Sequence, residues 1–342
     1  MKKIDNISFE ELEQELISLG EPKFKAVQLF DWIHNKAVDN FDEITNISKK
    51  TKEKLLQYYE FTYGSIELKL ESKLDETKKY VIKFEDGNVA ESVYLKYKYG
   101  NTACISSQVG CLMGCTFCAS AKNGFVRNLT TAEMLKQIYI MQKDIKEKIS
   151  NVVIMGSGEP LNNYDNVIDF LKIINNEKGQ NISMRKITLS TCGIVPNIYK
   201  LADENFPITL AISLHASTQE KREEILPISK KYKLPELMAA CDYYLSNTGR
   251  RLTFEYIMIK DFNDSTSDAQ KLGELLKNKL CNVNLIPCNY VKESNISPAT
   301  NINIEKFKKT LLKQGVNSTV RRELGSDINA ACGQLRNNFL KI

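Results

Sequence analysis

Apolar positions recur along the chain with two different periods. In the first sixty residues they recur at helical spacing. Ser8-Phe9-Glu10-Glu11 has the form of a capping box, Leu12, Leu16 and Ile17 are expected on one face, and Gly20 ends the run. Pro22 opens a second helix with Phe24, Val27, Phe30 and Ile33 as its expected apolar stripe, and a third begins near Ser48. The only tryptophan, Trp32, falls at helical spacing and reads as a core residue. From 64 to 106 the period shortens to two. Ile66–Leu70 and Tyr80–Phe84 alternate, Asp86-Gly87 is a hairpin signal, and Val89 to Tyr94 follows as another strand. This stretch predicts a small antiparallel ribbon.

From about residue 100, short apolar runs alternate with amphipathic segments. The predicted strands are 151–155, 186–190, 208–213, 252–259, 283–287 and 317–321. Predicted helices include Thr130–Glu147, with its own Thr130/Glu133 capping box, and 303–314, stopped by Gly315. Such alternation predicts a parallel α/β architecture, open or barrel-like. The expected divisions are a helical segment at 1–62, a β extension at 63–99 and a core at 100–342.

Composition adds two points. Lys and Arg number 47 against 42 Asp and Glu. Residues 1–62 hold nine Lys and twelve acidic residues, so the basic excess lies in the remainder, where a polyanion footprint is expected. No apolar run approaches membrane-spanning length, and the chain starts Met1-Lys2-Lys3-Ile4-Asp5. A cytoplasmic, soluble protein with no membrane association is expected.

Nine cysteines, an odd number, argue against a disulfide scaffold. Cys104, Cys111, Cys115 and Cys118 fall within fifteen residues; Cys192, Cys241, Cys281, Cys288 and Cys332 are scattered. Cys111-Leu112-Met113-Gly114-Cys115-Thr116-Phe117-Cys118 puts three thiolates on one Gly-containing loop. Thiolates select zinc or an iron–sulfur cluster. A zinc site needs a fourth ligand, and the chain offers only His34 and His215 and no second Cys pair at zinc-ribbon spacing. A four-iron cluster on three cysteines leaves one iron open to a small molecule.

The Cys-x3-Cys-x2-Cys spacing, with Phe117 before the last cysteine, resembles the radical S-adenosylmethionine (SAM) superfamily. Flanking motifs narrow the match: Cys104–Gly110, Arg127-Asn128-Leu129, Met155–Leu161, Ala211–Ala216 and Asp327–Leu335 resemble the RlmN family. That family methylates carbon 2 of adenosine, at adenosine 2503 of 23S rRNA and adenosine 37 of a subset of tRNAs. The resemblance implies a partial (βα)6-type barrel with a small N-terminal helical domain that binds RNA and a β-ribbon extension. It also implies one [4Fe-4S] cluster per chain on Cys111, Cys115 and Cys118, and two SAM molecules per turnover. SAM contacts are implied for Gly158, Glu159, Ser190, Ser213, Leu214, His215 and Asn289. Several of these fall at the C-terminal ends of predicted strands, the edge where parallel α/β folds bind ligands. Taken alone, Gly156-x-Gly158 reads as a tight turn and His215 as a structural histidine.

Carbon 2 of adenine lies between two ring nitrogens and is electrophilic, so it cannot attack the SAM methyl; a carbon radical can add to it. By the resemblance, Cys332 takes a methyl from the first SAM. A 5′-deoxyadenosyl radical from the second removes hydrogen from that methyl, and the methylene radical adds to carbon 2. Cys104 then resolves the covalent adduct by attacking the sulfur of Cys332, leaving a disulfide. Glu91 is the expected acceptor of the carbon-2 proton; its alternative is a solvated strand carboxylate. Implied partners are 23S rRNA, tRNA and an electron donor such as flavodoxin or ferredoxin, with the enzyme a monomer.

Ser157 departs from the family's usual Met, and Cys288 and Tyr290 from its usual Trp and Pro. Two alternatives stand beside the carbon-2 reading. One is Cfr-type carbon-8 methylation, which shares the cysteines but tends to differ at the prolines corresponding to Pro160 and Pro287. The other is a zinc-stabilised RNA-binding protein, which gives Cys104 and Cys332 no task.

Overall fold

The computed structural model describes residues 1–122, 124–288, 296–330 and 333–335. Ser8 accepts the Glu11 amide and the Glu11 carboxylate accepts the Ser8 amide, so two amides left open at a helix start are satisfied reciprocally. The helix that follows, α1 (Phe9–Ser18), buries Phe9, Leu12 and Leu16. Ile17 is 48% exposed, contrary to expectation; one residue on from Leu16 lies about 100° round the helix. In α2 (Phe24–Phe30), which runs on as a π turn over Asp31–Asn35, the buried stripe is Ala26, Leu29, Phe30 and Ile33. Phe24 and Val27, expected inside, are exposed. Both faces carry apolar residues at helical spacing, and the core packs against the other one. Ser48 caps α3 (Lys49–Leu55) by accepting the Thr51 amide. Trp32 is partly buried against the core, with the Lys36 ammonium 3.6 Å over its ring.

A two-residue parallel pairing of β1 (Lys2–Lys3) with β2 (Tyr59–Glu60) brings the two ends of this helical segment together. Its apolar residues belong to the same core cluster as those of the main sheet. Polar anchors join the two parts. Asn6 Oδ1 accepts the Ala132 amide at 2.9 Å, Lys136 pairs with Asp39 at 2.9 Å, and His34 Nδ1 lies 2.8 Å from the Tyr139 hydroxyl.

Among the described residues the main sheet has ten strands. Antiparallel β3 (Gly64–Glu71), β4 (Lys78–Phe84) and β5 (Val89–Tyr97) form the predicted ribbon. The ribbon is continuous with the core, because β5 pairs antiparallel with β6 (Gly100–Ile105) and β6 pairs parallel with β9 (Asn151–Ile154). A hairpin of β7 (Gln108–Gly110) and β8 (Phe125–Asn128) stands apart from this sheet. Beyond β9, the parallel order continues through β10 (Ile187–Thr191), β11 (Thr209–Ser213), β12 (Leu252–Met258), β13 (Cys281–Pro287) and β14 (Ser318–Val320). The strand at 100–105, absent from the sequence-derived set of parallel strands, is thus the first of that series.

Each crossover carries a helix: α4 (Thr131–Ile145), α5 (Tyr164–Asn175), α6 (Val195–Asp203), the pair α7 (Gln219–Ile225) and α8 (Leu234–Thr248), α9 (Thr266–Leu276) and α10 (Asn301–Lys313). Neighbouring parallel strands follow chain order without reversal, which is the winding of a barrel. Six βα units precede β14, which ends the sheet unpaired to β6: a partial (βα)6 barrel. Alternation sorts the strand residues. Ile105, Ile154, Leu189, Ile212, Phe254 and Leu285 join the main core, while Cys104, Ser190, Ser213, Glu255 and Ile286 take the opposite face. No described helix is long and apolar enough to cross a membrane.

Candidate functional site

The loop holding Cys111, Cys115 and Cys118 connects β7 to β8 and is pinned at both ends and its middle. Gly110, at φ +77°, lies so close to the Gly124 carbonyl that a Cβ would overlap it. The Cys111 amide donates to the Gly124 carbonyl, the Thr116 amide to the Ile225 carbonyl at the end of α7, and the Cys118 amide to the Cys115 carbonyl. All three cysteines line one cavity, open at its mouth. Burial pushes the Cys111 thiol up to about 12 and the Cys115 thiol higher than usual as well. Metal binding must therefore draw off their protons.

This donor set fits an iron–sulfur cluster: three soft thiolate ligands on one loop line a single cavity. A four-iron cluster takes each thiolate at a different corner, and the cavity behind the loop offers it room.

The rest of the cavity wall comes from the C-terminal ends of the strands. After β9 the chain turns through Gly156 and Gly158 against Ser106–Gln108. A Cβ on Gly156 would lie 2.7 Å from the Ser106 nitrogen, and one on Gly158, at φ +106°, 2.8 Å from the Gln108 nitrogen. The turn is cross-linked there: the Ser107 and Gln108 amides donate to the Ser157 carbonyl, and the Glu159 amide donates to Gln108 Oε1 at 2.9 Å. Glu159 is 3% exposed. Its carboxylate accepts the Leu161 amide at 3.0 Å and the Cys192 amide at 2.7 Å. Burial raises its pKa against the lowering effect of these bonds. Ser190 and Ser213, hydroxyl to hydroxyl at 3.5 Å, line the wall at the ends of β10 and β11.

His215, at φ +59°, also lines the cavity, with Phe117 edge-on at 4.8 Å. Its Nδ1 accepts the Ile257 amide at 3.1 Å. This bond assigns the proton to Nε2. Burial holds the ring neutral, with a pKa of about 3. The structural and ligand-binding readings of His215 therefore use different ring nitrogens. The Leu214 side chain is fully buried in the main core, and its amide donates to the Glu255 carbonyl. Asn289, Tyr290 and Cys332 lie outside the described residues.

Cys104 lies in a neighbouring apolar cluster with Val93, Leu95, Leu324, Ala330 and Leu335. That cluster borders the cavity through Leu335 and Met155. The C-terminal segment is fastened here on both sides of position 332. Ala330 packs in the Cys104 cluster, the Gly333 carbonyl accepts the Ala119 amide at 2.8 Å, and the Leu335 carbonyl accepts the Ser120 hydroxyl at 2.9 Å. No disulfide joins two described cysteines.

Glu91 is not a solvated strand carboxylate. It is 1% exposed and pairs with Lys79 at 2.9 Å; Lys79 also donates to the Asn329 carbonyl at 3.2 Å. Lys79, Val93 and Cys104 are in register across β4, β5 and β6, so Glu91, two residues from Val93, shares the face of Cys104. It does not line the main cavity.

Sequence reasoning missed several wall residues. Glu255 is 4% exposed, accepts from Asn284 Nδ2 at 2.9 Å, and has Arg321 4.0 Å away. Its signal was present: an acidic residue between Phe254 and Tyr256 in an alternating strand. Cys192, assigned no task, lines the cavity and donates its amide to Glu159. Arg127, in one of the family-like motifs, is outside the cavity and ties β8 to Asp86 and, through two bonds, to Glu133 at the start of α4.

Comparison with known proteins agrees with this geometry. Residues 105–272 match the radical SAM superfamily model, and residues 3–61 match the ribosomal RNA large subunit methyltransferase N-terminal domain. The chain is 53% identical over 341 residues to a probable dual-specificity RNA methyltransferase RlmN of Clostridium novyi, covering 100% of this chain and 99% of that one. It is also 53% identical to the probable RlmN of Alkaliphilus oremlandii, with both chains fully covered. The crystal structure of a radical SAM methyltransferase from Sphaerobacter thermophilus superposes with a TM-score of 0.94 at 37% identity, over 98% of this chain and 100% of that one.

Proposed function

Since the chain belongs to the RlmN family of radical SAM RNA methyltransferases, we propose that it methylates carbon 2 of adenosine in 23S rRNA and in a subset of tRNAs through a covalent RNA–protein adduct. The observation that carries the adduct is the fastening of the C-terminal segment. Its described residues on either side of position 332 contact both the Cys104 cluster and the loop of the three cluster cysteines. Two mechanistic thiols and a cluster have to meet for this chemistry.

Cys111, Cys115 and Cys118 would hold one [4Fe-4S] cluster, which when bound supplies the electron that cleaves SAM. Glu159, the serines at 190 and 213 and Nε2 of His215 offer SAM a carboxylate, two hydroxyls and a ring N–H donor. Asn289 joins them from the sequence reading, and Gly158 leaves the turn open to it. Leu214, between Ser213 and His215, joins them from the sequence reading. Cys332, as thiolate, would take the methyl of a first SAM; once a second SAM has supplied the radical that removes hydrogen from that methyl, the methylene carbon on Cys332 would bond to carbon 2. A one-electron acceptor, the oxidised cluster or the electron carrier, would take one electron from the adduct and Glu91 the carbon-2 proton. Cys104 would then attack the Cys332 sulfur: an S–S bond forms, the S–C bond breaks with its electron pair left on carbon, that carbon takes up a proton to become the methyl, and the methylated RNA leaves. Electrons come from a flavodoxin or ferredoxin. The protein acts as a monomer in the cytoplasm, with residues 1–62 contributing to RNA binding, including the exposed Lys49 and Lys50.

The test is product identity. Anaerobic, cluster-loaded protein with SAM, reductant and a 23S rRNA fragment is expected to yield 2-methyladenosine by mass spectrometry. Finding 8-methyladenosine would move the protein to Cfr-type chemistry. A separate expectation concerns SAM binding. Glu159→Gln should weaken SAM affinity at least tenfold in cluster-loaded protein, read by equilibrium dialysis; unchanged affinity would remove Glu159 from the SAM site.

A further inference from the structure

Arg222, on α7, is 1% exposed. Its flanking residues are conventionally paired: Lys221 with Asp268 and Glu223 with Lys233. Arg222 itself has no carboxylate partner among the described residues. Its Nη2 donates to the Cys192 carbonyl at 2.7 Å and, more weakly, to the Ser213 carbonyl at 3.4 Å, and its buried Nε has no partner. A guanidinium taken out of water without an anion is costly, and folds keep one where an anion will be.

The surroundings say which anion. Arg222 grips the carbonyl of Cys192, and Cys192 packs in one apolar cluster with Cys115, Met113, Phe117, Ile225 and Leu226. The last residue of α7, Ile225, accepts the Thr116 amide at 3.1 Å, so the helix carrying Arg222 is tied to the loop carrying Cys115. Three thiolates outweigh a [4Fe-4S]2+ core by one negative charge, and one-electron reduction doubles the excess. A fixed cation near such a group favours its reduced form.

We propose that Arg222 is the buried counter-charge of the three-cysteine cluster and holds its reduction potential up, a role that rests on the cluster reading of those cysteines. It is a positioning residue: it acts through charge and touches no reacting atom.

The experiment compares wild type, Arg222→Met and Arg222→Lys, each reconstituted anaerobically, assayed for iron and sulfide, and titrated without SAM while the reduced cluster is followed by electron paramagnetic resonance. In Arg222→Met the ratio of reduced to oxidised cluster at a given poise should fall at least tenfold, about 59 mV for a one-electron couple. Arg222→Lys, which keeps the charge but loses the fork, should recover most of this. Equal midpoints in wild type and Arg222→Met would overturn the proposal, as would a lysine variant no better than methionine. Weaker SAM binding at an unchanged midpoint would instead assign Arg222 to the SAM carboxylate and likewise overturn it. If the methionine variant loads no iron, melting of the apo-proteins decides. Removing an unpaired buried cation should leave apo Arg222→Met at least as stable as the apo wild type, and a markedly lower melting temperature would make Arg222 a packing residue. Wild type that takes up no cluster would sink the cluster reading itself, before any variant is compared.

Discussion

Cys104→Ala protein, supplied anaerobically with SAM, reductant and a 23S rRNA fragment, is expected to accumulate as an RNA-linked species that survives denaturing electrophoresis. Turnover should fall by at least about a thousandfold, the scale seen when a residue of a covalent mechanism is removed. Cys104 is 8% exposed, in the apolar cluster that Ala330 and Leu335 complete. Alanine is smaller and apolar, so it fits the same space, and the variant should fold and load its cluster. In the proposed scheme it lacks the sulfur that attacks Cys332. That attack, which would form the disulfide and break the S–C bond to RNA, is the proposed release step, and without an attacking thiolate the bond to RNA should persist. Cys332→Ala should behave oppositely, with cluster and SAM binding intact, no methylation and no adduct. The pair of results is diagnostic. Normal turnover by Cys104→Ala would end the two-cysteine scheme, and an adduct in Cys332→Ala would move the methyl carrier to another residue.

Why these residues could be found in the sequence, and others could not, has a physical basis. A parallel strand covered on both faces is a short apolar run, and the strands at 151–154, 187–191 and 209–213 fall where such runs end in Gly, Ser or His. Cavity-facing residues at strand ends are therefore legible. Helix starts at Ser8 and Thr130 are legible because a cap is a local bond between residues three apart. Residues whose surroundings come from distant parts of the chain are not. Nothing near Glu91 announces that Lys79, on the neighbouring strand, will pair with it in a buried setting. Strand 100–105 was hard to assign because it has an antiparallel neighbour on one side and a parallel neighbour on the other. Arg222 lies in the polar-looking run Gln219-Glu220-Lys221-Arg222-Glu223-Glu224, where one of six residues turns inward. Helix α2 fails for the opposite reason: it offers two apolar faces, and only the shape of the core selects between them.

The two histidines make a larger expected contribution to pH dependence than any exposed ion pair. His34 is 1% exposed; its Nδ1 meets the Tyr139 hydroxyl at 2.8 Å, and its Nε2 has no partner. Burial, with a smaller contribution from the Lys136 charge, holds it at a pKa of about 3; burial, then Arg222, does the same for His215. In the unfolded chain both titrate near 6.5. Between about pH 6.5 and 3 the unfolded chain therefore binds protons that the fold refuses, and stability falls as pH falls through that window. The contribution is fully present above 6.5. Each histidine should remove about 2 kcal/mol between neutrality and about pH 5, roughly 4 kcal/mol for the two, out of a typical 5–15 kcal/mol. Carboxylates raised by burial, such as Asp5 and Glu255, act with the opposite sign, so the histidine term is best isolated by difference. Trp32, two residues from His34, is the only tryptophan in the chain and reports unfolding of this region. Anaerobic urea melts followed by its fluorescence, at about pH 7.5 and about pH 5, should show His34→Gln losing roughly 2 kcal/mol less than wild type over the same interval. Equal losses would mean that His34 carries its proton in the folded protein, and that Lys136 and the burial around it do not exclude a second charge.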